Sequence, residues 1–193
     1  MDKDISKKTH IKGDDAVSFG DAEAYADDLM AISRLSAAVS GLSDLDAILR
    51  IALENVVRIM NGVAGGIMLI DEQTKTLSYR VYHGLSRKFA EGMCLDVGEG
   101  LSGRVARSGK PIIMEDISRE TEVARAELIT MEGLKAYLCV PLKAKDYVFG
   151  VMNVVSKMPR HFTKRDMHLL HTIGDMLGVA IEQAKLQKEL RDG

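Results

Sequence analysis

The sequence predicts an α+β fold, an α/β sandwich in which a central antiparallel sheet carries the terminal helices on one face and short helices and loops on the other. Three observations lead to this fold class. Helical periodicity occupies both ends of the chain, two pairs of apolar runs lie between them, and a short polar connection joins each pair. Such short connections favour antiparallel neighbours, because parallel strands need a crossover of a dozen or more residues.

The composition is typical of a single globular domain that works without nucleic acid or membrane. The chain has 193 residues, of which 46% are hydrophobic and 28% charged, with a formal net charge of −2. A nucleic-acid partner would call for a basic face and an anionic membrane for a polybasic stretch, and the sequence has neither. No apolar run approaches the roughly 20 residues that span a bilayer, and the charged N-terminus does not have the pattern of a secretion signal. We therefore expect a cytoplasmic protein.

The sequence contains no recognisable metal or redox motif. Cys94 and Cys139 lie in apolar stretches, where free thiols pack as small hydrophobic side chains in a reducing compartment. There is no CxxC, HExxH or paired Cys/His spacing, so we expect no metal site. His168 and His171 have the i,i+3 spacing that places two side chains on one helix face. The apolar residues around them define the packed stripes, so we expect neither this pair nor His83, at a strand end, to bind metal or haem.

The N-terminal third of the chain predicts a polar lead followed by two helices. Residues 1–20 are polar and aperiodic, so we expect a flexible lead. Apolar residues then recur at helical spacing over 21–42, and Gly41 ends this first helix. Ser43 is interpreted as the N-cap of a second, strongly amphipathic helix, which ends at Asn61–Gly62.

Apolar runs typical of strands occupy the middle of the chain, with two short helical segments among them. The first pair of runs indicates a hairpin. The second pair is apolar on both faces, so its hairpin should be central in a sheet covered on each side. A long helix capped by Thr163 follows. The expected segments are strands 65–71, 77–83, 112–114, 136–143 and 147–156, and helices 101–108, 123–132 and 164–190.

Three stretches of this sequence resemble the GAF domain family, and the match covers residues 43–184. The stretch 95–118 contains Gly-Glu-Gly-Leu-Ser-Gly-Arg-Val-Ala-Arg-Ser-Gly-Lys-Pro and is similar to the glycine-rich signature of the family. The stretch 137–142 is similar to the penultimate strand of the family, and 150–155 with the helix behind it completes the match. Residues 185–193 would then extend the last helix toward an output domain or a free end.

The resemblance implies a regulatory domain that senses a small molecule and relays its presence to an output domain such as a histidine kinase, without catalysis of its own. Family members with other chemistry are distinguished by residues that this chain lacks. Free methionine sulfoxide reductases place a cysteine in the glycine-rich stretch, where this chain has Ser102, and bilin-binding members carry a Cys-His pair near 123–132. Cyclic nucleotide is also not expected, because a partial pattern from Asn153 to Asp166 ends in Met167 instead of glutamate.

The resemblance also implies a cavity between the sheet and the two short helices. Most side chains expected there are apolar, with a few hydroxyl or amide groups that would orient a small ligand of unknown identity. The chain has 11 methionines, so a deformable interior filled by its own side chains is an open alternative. The expected lining residues are Tyr82, Met93, Leu101, Val105, Ile112, Ala126, Ile129, Tyr137 and Asn153.

The terminal helices predict a homodimer. The last helix carries two neighbouring apolar stripes, of which one should pack on the sheet and the other should be free for a partner, together with apolar residues of the first helix. A ligand-free dimerisation module is therefore the alternative to a sensor. The expected interface residues are Leu29, Ile32, Leu35, Leu169, Ile173, Met176, Ala180, Gln183 and Leu190.

Overall fold

The computed structural model describes residues 19–40, 44–61 and 63–193. Residues 1–18 of the expected lead, and the positions Gly41, Ser43 and Gly62, lie outside this description. The helices are α1 (Phe19–Val39), α2 (Leu45–Met60), α3 (Arg87–Gly92), α4 (Gly100–Ser108), α5 (Ala126–Glu132) and α6 (Lys164–Asp192), with a 3-10 turn at Ile117–Arg119. The strands are β1 (Ala64–Ile70), β2 (Thr76–His83), β3 (Leu95–Asp96), β4 (Ile112–Met114), β5 (Ala136–Ala144) and β6 (Tyr147–Ser156).

The hairpin of β5 and β6 lies near the centre of the sheet, as its two-sided hydrophobicity predicts. The strand order is β3-β2-β1-β6-β5-β4, and every neighbouring pair is antiparallel. The two residues Lys145 and Asp146 connect β5 to β6. Every residue of β6 from 149 to 156 is buried, which requires cover on both faces of the sheet. The expected α+β fold, with helices on each face, is confirmed.

The terminal helices cover one face of the sheet. α2 and α6 lie against the strands, and Leu35 of α1 reaches the same core. Burial of a large apolar side chain stabilises a fold by roughly 1.5–3 kcal/mol, so this face supplies a large part of the stability. Its fully buried side chains include Leu49, Leu53, Ile67, Leu138, Leu142, Met152, Leu170 and Ile173.

Two glycines allow α6 to lie very close to β5. A Cβ atom on Gly174 would come within 2.7 Å of the Pro141 carbonyl oxygen, and a Cβ atom on Gly178 would overlap the Lys143 carbonyl group. The helix backbone therefore touches the strand directly along this line. At 29 residues α6 is the longest helix, but no helix in the described ranges is long and apolar enough to cross a bilayer.

The N-caps of the two long helices on this face are carboxylate and hydroxyl groups. The Thr163 hydroxyl accepts a hydrogen bond from the Asp166 amide at 3.1 Å, and the Asp166 carboxylate accepts one from the Thr163 amide at 2.8 Å. This is the expected cap of α6, completed as a capping box. In α2 the N-cap is Asp44 instead of Ser43, because the Asp44 carboxylate accepts from the Asp46 amide at 3.1 Å.

The opposite face of the sheet carries the short helices α3, α4 and α5 and a second core. Gly103 brings α4 against the chain beside β3, because a Cβ atom there would lie 2.5 Å from the Asp96 carbonyl oxygen. Met68, Val105 and Cys139 are among the fully buried residues of this second core. The sheet thus separates a core under long helices from a core under short ones.

Replacing Gly178 by alanine is expected to destabilise the protein by roughly 1–3 kcal/mol, because the new methyl group overlaps the Lys143 carbonyl. Alanine has a higher helix propensity than glycine by about 1 kcal/mol, so the same change without the overlap would stabilise. Urea unfolding followed by circular dichroism measures the difference. Val179→Ala, at the exposed neighbouring position, is the matched control, and a stabilised Gly178→Ala variant would contradict the close contact.

Candidate ligand-binding cavity

A partly enclosed cavity of about 40 Å³ lies between the sheet and the short helices. This is room for about three water molecules. Four of the expected residues, Met93, Leu101, Ile129 and Tyr137, are part of its wall. The lining residues are Tyr79, Phe89, Met93, Leu95, Leu101, Ser102, Ile117, Ala124, Ile129, Leu134, Tyr137 and Val155.

The other expected residues do not line the cavity. Val105 is buried in the core of this face, and Ile112 packs against that core from β4. Ala126 is the exposed first residue of α5. Asn153 is fully buried in β6 and touches the wall only through Tyr79. Tyr82 is 41% exposed.

A β-bulge in β2 places Tyr79 on the same face of the sheet as Tyr82, and Tyr79 is the one of the two that lines the cavity. Met68 pairs with Tyr79 while the preceding Ile67 pairs with Val81, so Arg80 is an extra residue in β2. An extra residue reverses the alternation of faces along a strand. Tyr79 and Tyr82 therefore point to the same face, and their rings meet edge to face with centroids 6.3 Å apart.

A hydrogen bond from Tyr79 to Asn153 forms the first polar contact at the cavity. The Tyr79 hydroxyl donates to Asn153 Oδ1 at 3.0 Å, and its ring lies over Gly66, where a Cβ atom would come within 2.6 Å of the ring. Burial raises the pKa of Tyr79, so the phenol stays protonated and remains a donor. Asn153 is 0% exposed, and its Nδ2 has no hydrogen-bond partner among the described residues. A buried amide donor without a partner costs about 1–3 kcal/mol.

A second polar contact joins α4 to β5. The Ser102 and Tyr137 hydroxyl oxygens lie 2.7 Å apart, and both residues line the cavity. Cys139, two residues along β5, is fully buried beside them. Burial raises the pKa of Cys139 to about 12, so its thiol is protonated at neutral pH and is a poor nucleophile.

The wall of the cavity carries polar groups but no charge. Its twelve lining residues include no charged side chain and no histidine. Ser102 is hydrogen-bonded to a phenol instead of a base, so it lacks the partner that activates a serine nucleophile. The hydroxyl and amide groups can orient a compact, uncharged molecule against an otherwise apolar wall.

The thiols and histidines that the sequence singles out lie away from the cavity or outside its wall. Cys94 is exposed, so the expectation that both thiols are buried was wrong for this residue. His83 and His168 are exposed, and His171 Nδ1 lies 3.5 Å from Asp175 Oδ2. In the described ranges, no group of three or more His, Cys, Asp or Glu side chains is arranged to hold a metal ion.

The expected dimer-interface residues differ widely in exposure. Leu35, Leu169 and Ile173 are buried in the core under the long helices, so they offer no surface to a partner. Exposed apolar surface is found instead at Leu29, which is 67% exposed, and Leu190, which is 84% exposed. Of the others, Ile32 and Ala180 pack against the core, Met176 is half-buried and Gln183 is exposed.

The fold and the cavity together define a small α+β domain with an interior cavity on one side of its sheet. The sequence places it in a family. A family model described as the GAF domain matches residues 43–182, so this chain belongs to the GAF domain family.

Relatives of this domain occur in signalling proteins. The sensor histidine kinase YhcY of Bacillus subtilis is 26% identical to this chain over 152 residues, which are 75% of the chain. The chain spans 39% of the length of that kinase and smaller shares of four other curated relatives.

Solved structures share the fold at low sequence identity. The GAF domain of a phosphoenolpyruvate-protein phosphotransferase from Coxiella burnetii is 19% identical, with a TM-score of 0.75 over 85% of this chain and 98% of its own. A free methionine-R-sulfoxide reductase from Neisseria meningitidis, in complex with its substrate, is 16% identical, with a TM-score of 0.73 over 89% and 98%. Both a GAF domain of a phosphotransferase and a reductase are thus built on this fold, and the likeness extends to the fold alone.

The double variant Tyr79→Phe/Asn153→Leu removes both partners of the hydrogen bond and the unpaired Nδ2, so it should be as stable as the parent or more so. Asn153→Leu alone leaves the Tyr79 hydroxyl without its acceptor, so it should be less stable than the double variant by about 1–3 kcal/mol. Guanidinium unfolding of the parent, both single variants and the double variant measures this cycle. A double variant that is less stable than the parent would contradict the unpaired donor.

Proposed function

We propose that this chain is the small-molecule-sensing domain of a signalling protein and that its ligand occupies the cavity beneath α5. The observation that carries the proposal is the cavity itself, an apolar space whose wall includes the hydroxyl groups of Tyr79, Ser102 and Tyr137. The buried, unpaired amide of Asn153 lies behind this wall, and natural proteins rarely leave a buried donor unsatisfied. Tyr79 connects this amide to the cavity wall.

The ligand we propose is compact and uncharged. A charged ligand would lose its hydration in this apolar space, and the lining side chains supply no opposite charge to compensate. A molecule of a few heavy atoms fits the present volume. A larger one would need the wall to move.

β5 provides the route from the cavity to α6. Tyr137 and Cys139 lie on the cavity side of this strand, while Leu138, Val140 and Leu142 lie in the core beneath α6. A ligand that shifts Tyr137 therefore also shifts the surface on which α6 packs. In this proposal the ligand acts by favouring one of two placements of α6, and the output domain is of the histidine-kinase type found in the relative YhcY.

We propose a regulatory role without catalysis for the chain itself. The free methionine-R-sulfoxide reductase with the same fold is an enzyme, but this cavity offers no activated nucleophile. Cys139 has a raised pKa of about 12, and Ser102 contacts Tyr137 rather than a base.

Homodimerisation through the terminal helices is the second function we propose, either with the sensor or in its place. Exposed apolar side chains on these helices support it, because a helix that faces only water normally carries polar residues on its outer side. They are Tyr25, Leu29 and Met30 on α1, and Val179, Leu186 and Leu190 on α6.

Native mass spectrometry of the freshly purified protein is expected to show a non-covalent additional mass that is absent from the denatured protein. Ile129→Trp fills the cavity from α5, so this variant should lose the additional mass. Met131→Trp places the same indole on the 65% exposed side of α5 and should retain it. A parent protein without additional mass, after purification and after exposure to a cell extract, would contradict the sensor and leave the dimerisation module.

Leu29→Asp is expected to convert a dimer to a monomer, because it places a charge within exposed apolar surface of α1. Size-exclusion chromatography with light scattering measures the mass at several protein concentrations. Met158→Asp makes the same change at an equally exposed site outside the helices and should remain dimeric. A parent that is monomeric at every concentration would rule out the interface.

A further inference from the structure

α5 covers the cavity but is only half-buried. Ile129 lines the cavity and Leu128 contacts the chain at Gly92, and both side chains pack partly buried against the core of this face, although no residue of α5 is fully buried. A segment with so little buried apolar area opens at a lower free energy than the elements around it. Polar contacts therefore contribute much of what holds α5 in place.

The C-terminal end of α5 is held by a buried carboxylate. Glu132 accepts hydrogen bonds from the Ser86 amide at 3.0 Å, the Ser86 hydroxyl at 2.6 Å and Lys157 Nζ at 2.9 Å. Its side chain is only 7% exposed. Burial acts to raise the pKa of Glu132, but the hydrogen bonds from Ser86 and Lys157 outweigh it and lower the pKa below its usual value. This attachment joins α5 to the start of α3 and the end of β6.

The segment before α5 is held by a second, half-buried ion pair. Arg104 of α4 contacts the Glu120 carboxylate at 3.0 Å and the more exposed Glu122 at 3.6 Å. Glu120 is 17% exposed and its pKa is lowered, chiefly by its hydrogen bond with Arg104. Glu120 and Glu132 are thus the two fixed ends of the stretch 121–131.

Between these ends, Arg125 fastens the stretch to the rest of the domain, in addition to the longer contact of Glu122 with Arg104. Arg125 donates to Glu99 Oε1 at 3.0 Å and to the Cys94 carbonyl oxygen at 2.9 Å. Arg125 also has a φ of +55°, which costs a non-glycine residue of order 1 kcal/mol and makes α5 begin at 126 instead of the expected 123. The contact is more exposed than the attachment of Glu132, so it is the weakest of the three.

We infer that residues 121–131 form a flap over the cavity, hinged at Glu120 and Glu132 and latched by Arg125. Release of the Arg125 contacts lets the flap lift, while the buried attachments at its ends keep it in register for closure. Because Ala124 and Ile129 belong to the cavity wall, lifting the flap opens the cavity to solvent. The flap regulates entry to the site described under the proposed function and rests on that proposal for its biological meaning.

A thiol placed in the cavity wall reports on the flap without any ligand. Val155 lines the cavity and is buried. In a Cys94→Ser/Cys139→Ala background, Val155→Cys supplies the only cysteine of the chain. Its rate of modification by methyl methanethiosulfonate at pH 8, followed by mass spectrometry, measures how often the cavity opens.

Arg125→Asn is expected to increase this rate roughly threefold, because it removes a solvent-exposed ion pair and the hydrogen bond to the Cys94 carbonyl oxygen, while asparagine tolerates positive φ. Glu99→Gln should increase it in the same direction, and raising NaCl from 20 to 500 mM should accelerate the parent (roughly threefold) but not Arg125→Asn. Arg87→Asn breaks a similarly short but unrelated pair with Glu91 on α3 and should leave the rate unchanged.

The dependence of the rate on urea distinguishes local opening of the flap from global unfolding. Low urea concentrations should barely change the rate, because local opening exposes little surface, whereas global unfolding would raise it with the full unfolding slope. Equal rates in the parent, Arg125→Asn and Glu99→Gln, or a full urea slope in all of them, would overturn the flap. Faster thiol modification in Arg125→Asn and Glu99→Gln, together with no additional mass in native mass spectrometry, would overturn the sensor and leave the flap intact.

Discussion

The contact between α6 and the β5–β6 hairpin is the constraint on which the rest of the structure depends. The hairpin is apolar on both faces, so it is stable only if each face is covered. α6 covers one face at backbone distance through Gly174 and Gly178, and this leaves the other face to three short helices. Short helices bury little area each, which is why the second face has room for a cavity.

The spacing of apolar residues is enough to predict most of this architecture, because the buried side of each helix or strand must be apolar at the repeat of that element. Apolar runs predict the β5–β6 hairpin, and the cap at Thr163 predicts the start of α6. The spacing of apolar residues does not show where a strand contains a β-bulge. The bulge at Arg80 leaves the composition of β2 unchanged, so Tyr79 was missed and Tyr82 was placed in the wall.

The site is less predictable than the fold because its chemistry depends on pairs from distant parts of the chain. Tyr79 meets Asn153 across 74 positions, and Ser102 meets Tyr137 across 35. No local pattern marks either pair. The family resemblance found the region and four of its wall residues, but not which apolar stripe of α6 is buried. Leu169 and Ile173 lie in the core, and only a knowledge of the sheet beneath the helix distinguishes the stripes.

The glycines of α6 also limit how this helix can move. Gly174 and Gly178 lie one turn apart, and both face carbonyl oxygens of β5. If α6 turned about its own axis, a neighbouring residue would bring its Cβ atom into the space that only glycine leaves free. Axial rotation is therefore blocked, whereas pivoting about the glycine contact, or a piston-like shift together with β5, keeps the contact intact. Any signal that travels along α6 to its exposed end at Leu190 takes one of these two forms.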